Sequence, residues 1–137
     1  METLDPNYLG ETEDEIYKEN ILDHFRHPRN FGELETTYKH REYNPVCGDD
    51  IEIFLIMEDN KVKDIKFTGK GCAISMAAAS MLTDHIKNKT LEEIKSLTEE
   101  NITNLLGIKL GIVRMKCASL SLNALNKALG VKNEINN

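Results

Sequence analysis

Tryptophan is absent from this 137-residue chain, and prolines and cysteines number only three each. No stretch approaches the ~20 uncharged apolar residues that a membrane span requires, so no membrane partner is expected. No basic residue precedes Lys18, whereas Glu2, Asp5, Glu11, Glu13, Asp14 and Glu15 all do. That start lacks the basic and apolar blocks of a secretion signal, which makes the cytoplasm the expected compartment. A net charge of −6, few aromatics and no basic cluster argue against nucleic acid as a partner. The cysteines include no CxxC pair, which excludes zinc-ribbon and zinc-finger patterns. Disulfides are disfavoured in a chain without a secretion signal.

What remains is 40% apolar residues, enough for one modest core. We expect a single domain over residues 15–130. Residues 1–14 read as a flexible acidic tail and 131–137 as a soluble C-terminal tail.

Residues 15–27 have helical spacing that puts Tyr17, Ile21, Leu22 and Phe25 on one face, and Pro28 ends the run. A first strand is expected over 36–43. The runs 50–57 (DIEIFLIM) and 61–68 (KVKDIKFT) read as strands joined by a Glu58-Asp59-Asn60 hairpin connection. After Cys72 the run AISMAAASMLTDHIK reads as a helix with small residues at Ala73, Ala77 and Ser80. Thr90 with Glu93 fits a capping box, and Thr98 caps a helix that Gly107 ends. GIKLGIV reads as a loop or short extended piece, and a last helix is expected over 114–129 with Gly130 just past its end. Helix, strands and then several helices make an α+β fold: a small antiparallel β-sheet with helices packed on one side.

The hairpin brings chemistry together. In NPVCGDD, residues 44–50, Cys47 and Asp49 enter one end of it, and Gly69-Lys70-Gly71-Cys72 leaves at that same end because the strands are antiparallel. Cys72 precedes a helix. Cys117 is expected in the first turn of the last helix, beside Arg114 and Lys116. Both settings lower a thiol pKa from ~8.5, and all three thiols are expected to be accessible. Three thiolates and one carboxylate make four donors. Zn²⁺ takes tetrahedral S/O sets. Iron–sulfur clusters prefer thiolates, and a carboxylate is a harder, weaker fourth donor for them. At this level a metal or cluster site and three unrelated thiols both stay open.

NP-x-CGD, GKGCAISMAAAS and R-x-KCASL, with ILDHFRHPRNFG upstream, resemble the IscU/SufU/NifU N-terminal family of iron–sulfur cluster assembly scaffolds. The resemblance implies the same α+β fold and one site built from Cys47, Asp49, Cys72 and Cys117. It implies a cysteine desulfurase as sulfur donor, with Cys117 as the main sulfur acceptor by position. It further implies a transient [2Fe-2S] cluster passed to apo iron–sulfur acceptor proteins, on a monomer or a cluster-linked homo-oligomer. Two departures stand out. Lys116 occupies the place of the His that IscU-type members carry before the third cysteine. That and GCAISMAAAS resemble SufU, whose members hold Zn²⁺ on the same ligands and relay sulfur as sulfurtransferases rather than acting as non-enzymatic scaffolds. Yet the gap of 45 between Cys72 and Cys117 resembles the IscU arrangement. The segment LGIVRM also lacks both prolines of the LPPVK segment read by a dedicated heat-shock chaperone, which counts against that partner.

Among the remaining polar residues, Asp50 is expected to be solvated, and Lys116 to pair with Asp49 when no metal is present. His24 and His27 are expected on an exposed helix face. His40 is isolated, and His85 is expected ~20 Å along a helix from Cys72. Met76 and Met81 read as core filling.

Overall fold

The computed structural model describes residues 18–131. The expected acidic tail, Tyr17 and residues 132–137 of the expected C-terminal tail lie outside the described residues.

Strands β1 (Tyr38–Asn44), β2 (Asp49–Glu58) and β3 (Lys61–Lys70) form an antiparallel sheet in the order β1-β2-β3. Each expected strand is present, with ends moved by one or two residues to where ladder pairing stops. The β2–β3 turn is the two-residue Asp59-Asn60, with φ of 55° and 65°. That is the mirror-image turn whose twist suits a hairpin, and Asp and Asn tolerate its left-handed backbone. Ile51, Ile53 and Leu55 alternate onto one fully buried face. Across from them, Ile56 pairs with Asp64 and Met57 with Val62. Lys63 is therefore an extra residue, which is why the buried positions of β3 run Val62, Ile65, Phe67 instead of strictly alternating.

Five described helices follow in chain order: α1 (Glu19–Arg26), α2 (Ala73–His85), α3 (Leu91–Lys95), α4 (Glu99–Leu106) and α5 (Ile112–Ala128). α2 and α5 pack on the Ile51/Ile53/Leu55 face of the sheet and on one another. The α+β arrangement expected from the sequence is the one observed. Every residue of α2 from Ile74 to Thr83 is buried. A helix enclosed on all sides needs small residues, and Ala77, Ala78, Ala79 and Ser80 let its neighbours approach closely. Met76 and Met81 fill the core as expected. The Thr90–Glu93 capping box is present, and Thr98 N–H donates to Asn101 Oδ1 at 2.8 Å at the head of α4. Gly107 ends α4 in the left-handed conformation. α5 begins at Ile112, two residues before the expected start. Ile112 and Val113 lie exposed on its first turn and show no amphipathic pattern to read.

α1 departs from its expected packing. Ile21 is buried, but Phe25 is exposed. His24, expected on an exposed face, is half-buried with Nδ1 2.6 Å from Ser80 Oγ, and the Arg29 backbone N–H donates to that same oxygen at 2.9 Å. His27 lies past the helix end and is exposed. Burial pushes the His24 pKa below 6.5, the Arg29 charge adds to this, and Asp23 and Asp84 oppose it. Residues 30–32 then run along the outer edge of β3, where Gly32 N–H donates to Phe67 O and Phe67 N–H to Asn30 O. The Phe31 and Phe67 rings meet edge-on at 5.4 Å. Among the described residues, no helix is long and apolar enough to cross a membrane.

Phe67→Ala should lower the unfolding free energy by about 3–5 kcal/mol in urea titrations, because the ring is fully buried. Phe31→Ala should cost clearly less, since half of that ring already faces solvent. His24 titrates lower when folded, so the unfolded chain binds more protons as pH falls through 6.5 and stability drops in that window. His24→Gln should shrink the fall in urea midpoint between about pH 7.5 and about pH 5.5; an unchanged fall would show that other groups cause it.

Candidate metal centre

The β1–β2 connection is built by its own side chains. Asn44 Oδ1 accepts from Val46 N–H at 3.1 Å, and Asn44 O accepts from Gly48 N–H at 2.8 Å. Gly48 has φ of 77° with open space around it, so its requirement is conformational. Asn44 and Asp49 face one another in the ladder. The turn thus lifts Cys47 onto its exposed crest and returns Asp49 to the head of β2, where it is 4% exposed.

β3 ends opposite that point, with Lys70 paired to Asp50, and Gly71 leads into Cys72 at the cap position of α2. The Cys72 side chain does not cap the helix. Asp49 does so from outside the helix: its Oδ1 accepts from Cys72 N–H at 3.2 Å, and its Oδ2 from the Ser75 hydroxyl at 2.9 Å. A Cβ on Gly71 would lie 2.8 Å from Asp49 Cγ, so only glycine leaves room for the carboxylate. Burial pushes the Asp49 pKa up, but hydrogen bonds from Cys47, Ser75 and Cys72 outweigh it and hold the carboxyl below its ordinary value.

Cys117 reaches the same place from α5. Its Sγ lies 3.5 Å from Cys47 Sγ. Cys47 Sγ, Cys117 Sγ and an Asp49 oxygen all lie within 4.8 Å of one another. Cys72 borders this trio without belonging to it, with Sγ 3.5 Å from Ser75 Oγ. No histidine takes part in the cluster.

Several expectations need correction. Only Cys47 is exposed; Cys72 is half-buried, and Cys117 is 3% exposed. Because α5 starts at Ile112, Cys117 falls in its second turn, beyond the reach of the helix-start charge. Burial, followed by the neighbouring Cys47 and Cys72 thiols, pushes its pKa up, opposite to the expected lowering. Asp50 is not solvated: it is buried and ion-paired to Arg41 at 3.1 Å. Lys116 is exposed and makes no ion pair with Asp49, whose carboxylate faces the start of α2. Arg114 is half-buried on the same helix. Ser75 was missed by sequence reasoning. Its signal was a hydroxyl three residues past a helix-capping position, at the sheet end that also carries an aspartate.

Two sulfurs and a carboxylate oxygen at this spacing, with a third sulfur adjoining, suit a thiophilic cation. They fit tetrahedral zinc and an iron–sulfur cluster alike. A cation there reverses the local electrostatics, since a coordinating thiol is deprotonated outright.

The family model described as the NifU-like N terminal domain matches residues 16–136. The chain is 38% identical over 115 residues to the iron–sulfur cluster assembly scaffold protein IscU 1 of Archaeoglobus fulgidus, covering 83% of this chain and 74% of that protein. It is 36% identical over 133 residues to the zinc-dependent sulfurtransferase SufU of Bacillus subtilis, covering 85% and 90%. Among solved structures it superimposes with a TM-score of 0.72 at 30% identity on FiSufU of Fervidobacterium islandicum, assigned to the SUF system as a cluster assembly scaffold, covering 86% and 99%.

If Cys117 is a donor, binding a cation must strip its proton. Zn²⁺ affinity measured by chelator competition should then rise with pH, roughly tenfold per unit for each proton released. A pH-independent affinity would remove Cys117 from the donor set.

Proposed function

This chain belongs to the NifU-like N-terminal domain family, and on that premise we propose that it is a scaffold on which a [2Fe-2S] cluster is assembled and handed on. The carrying observation is the convergence of Cys47, Asp49 and Cys117 within 4.8 Å at one end of the sheet. Cys72 completes the donor set from the start of α2. The cluster is cargo here, so its donors must hold it and also release it. A hard carboxylate among soft thiolates provides a weak point for release. Sulfur comes as persulfide from a cysteine desulfurase. Its outer sulfur passes to Cys117, whose thiol proton goes to the donor's thiolate as the leaving group; two electrons per sulfur, one from Fe²⁺ oxidised to Fe³⁺ and one from an external electron donor, then reduce that sulfur to the sulfide of the cluster. Cys47 on its exposed crest marks the side from which the donor approaches. Arg114 and Lys116 add positive charge to the helix that carries Cys117. The product goes to apo iron–sulfur acceptor proteins in the cytoplasm, where thiols stay reduced.

A second reading has its own support. The 36% identity to the Bacillus subtilis zinc-dependent sulfurtransferase and the presence of Lys116 favour a resident Zn²⁺ and a sulfur relay. In that case Cys47, Asp49, Cys72 and Cys117 would hold the ion, which acts as a Lewis acid and keeps thiols ionised.

Anaerobic reconstitution with a cysteine desulfurase, cysteine and Fe²⁺ separates the two. The scaffold reading expects visible iron–sulfur absorption and transfer of the cluster to an apo-ferredoxin. Stoichiometric zinc in the isolated protein, desulfurase stimulation that chelation abolishes, and no transferable cluster would favour the relay instead.

A further inference from the structure

Ser75 is completely buried, and its hydroxyl touches two of the proposed donors. It lies 2.9 Å from Asp49 Oδ2, 3.2 Å from Cys72 O and 3.5 Å from Cys72 Sγ. A hydroxyl has one hydrogen to give. The ionised carboxylate is the closer and stronger acceptor, so the hydrogen goes to Asp49 and the oxygen lone pairs face the Cys72 thiol. Asp49 is also held on its other oxygen by Cys72 N–H. On its flank Gly71 leaves no space: an added Cβ would sit 2.5 Å from Ser75 Oγ and 2.9 Å from Asp49 Oδ1. A carboxylate bonded through both oxygens and backed by a bare Cα cannot turn, yet each oxygen keeps lone-pair capacity for a cation.

We propose that Ser75 is a positioning residue for metal binding, which locks the Asp49 carboxylate in the plane that keeps it within reach of the Cys47 and Cys117 sulfurs. The inference rests on the reading of Asp49 as a metal donor. The hydroxyl itself touches no cation; it acts through Asp49. Groups that orient a ligating carboxylate in this way typically carry a 10–100-fold effect on metal affinity. The same hydroxyl also helps Asp49 cap α2, so a purely structural contribution must be separated from positioning.

A double-mutant cycle on the full chain does so, with Zn²⁺ alone as the probe, affinity read by chelator competition and unfolding of the metal-free proteins followed in parallel. Ser75→Ala should lower Zn²⁺ affinity about tenfold or more. In an Asp49→Ala background, adding Ser75→Ala should change it no further. A loss of equal size in both backgrounds would mean that Ser75 acts through the helix, and no loss in either would mean that it does not act; each overturns the proposal while leaving Asp49 a donor. Unaltered affinity in Asp49→Ala itself would overturn both the proposal and the reading beneath it. Should Ser75→Ala fail to fold, Gly71→Ala, whose Cβ would press on both the Ser75 hydroxyl and the Asp49 carboxylate, must show the same background-dependent loss.

Discussion

The Asp49 carboxylate is where the sheet, the central helix and the thiols meet. It sits at the first position of β2, supplies the cap that α2 lacks in its own sequence, and lies within reach of the sulfurs of Cys47 and Cys117. An uncapped helix start leaves backbone donors without partners, and a buried carboxylate without donors is costly. Each problem solves the other here, because Cys72 N–H and the Ser75 hydroxyl meet the two oxygens of Asp49. The close approach of Gly71 is a consequence: only a residue without a side chain can pass between them. The fold and the site therefore share one interaction. The group that orders α2 is also the hardest member of the proposed donor set.

The three thiols are not equivalent once the chain is folded. Cys47 stands on a turn crest in solvent, Cys72 is half-covered at a helix start, and Cys117 is enclosed by the packing of α5 on β1, β2 and α2. Enclosure favours the neutral thiol at Cys117, while hydrogen bonds favour the charged carboxylate at Asp49. On the proposed reading, a cation arriving beside the ionised Asp49 would displace the Cys117 proton. Until then, that proton spares the apo-protein a cluster of unpaired buried anions.

Much of the architecture was legible because local chemistry agreed with the final packing. The DIEIFLIM and KVKDIKFT runs, the polar hairpin turn between them, the Thr90–Glu93 box and Gly107 all carry their instructions within a few residues. The readings that failed depended on distant partners. Nothing near Asp50 in sequence announces that Arg41 of the neighbouring strand will cover it. His24 looks like a surface histidine until α2 brings Ser80 against it, 56 residues along the chain. The start of α5 was misplaced because Ile112 and Val113 are apolar and β-branched, yet exposed, which reads as an extended segment.

By itself the sequence determined the element order, the hairpin that must deliver Cys47, Asp49 and Cys72 to one sheet end, and the four motifs that carry the family likeness. Period, turn chemistry and antiparallel pairing are short-range properties, so a linear reading can reach them. Only the tertiary structure decided that Asp49 is buried and held on both oxygens, that Ser75 holds one of them, and that Cys117 lies enclosed beneath Cys47. Burial and hydrogen-bond direction are set by how α2 and α5 pack on the sheet, and packing depends on all of the elements at once.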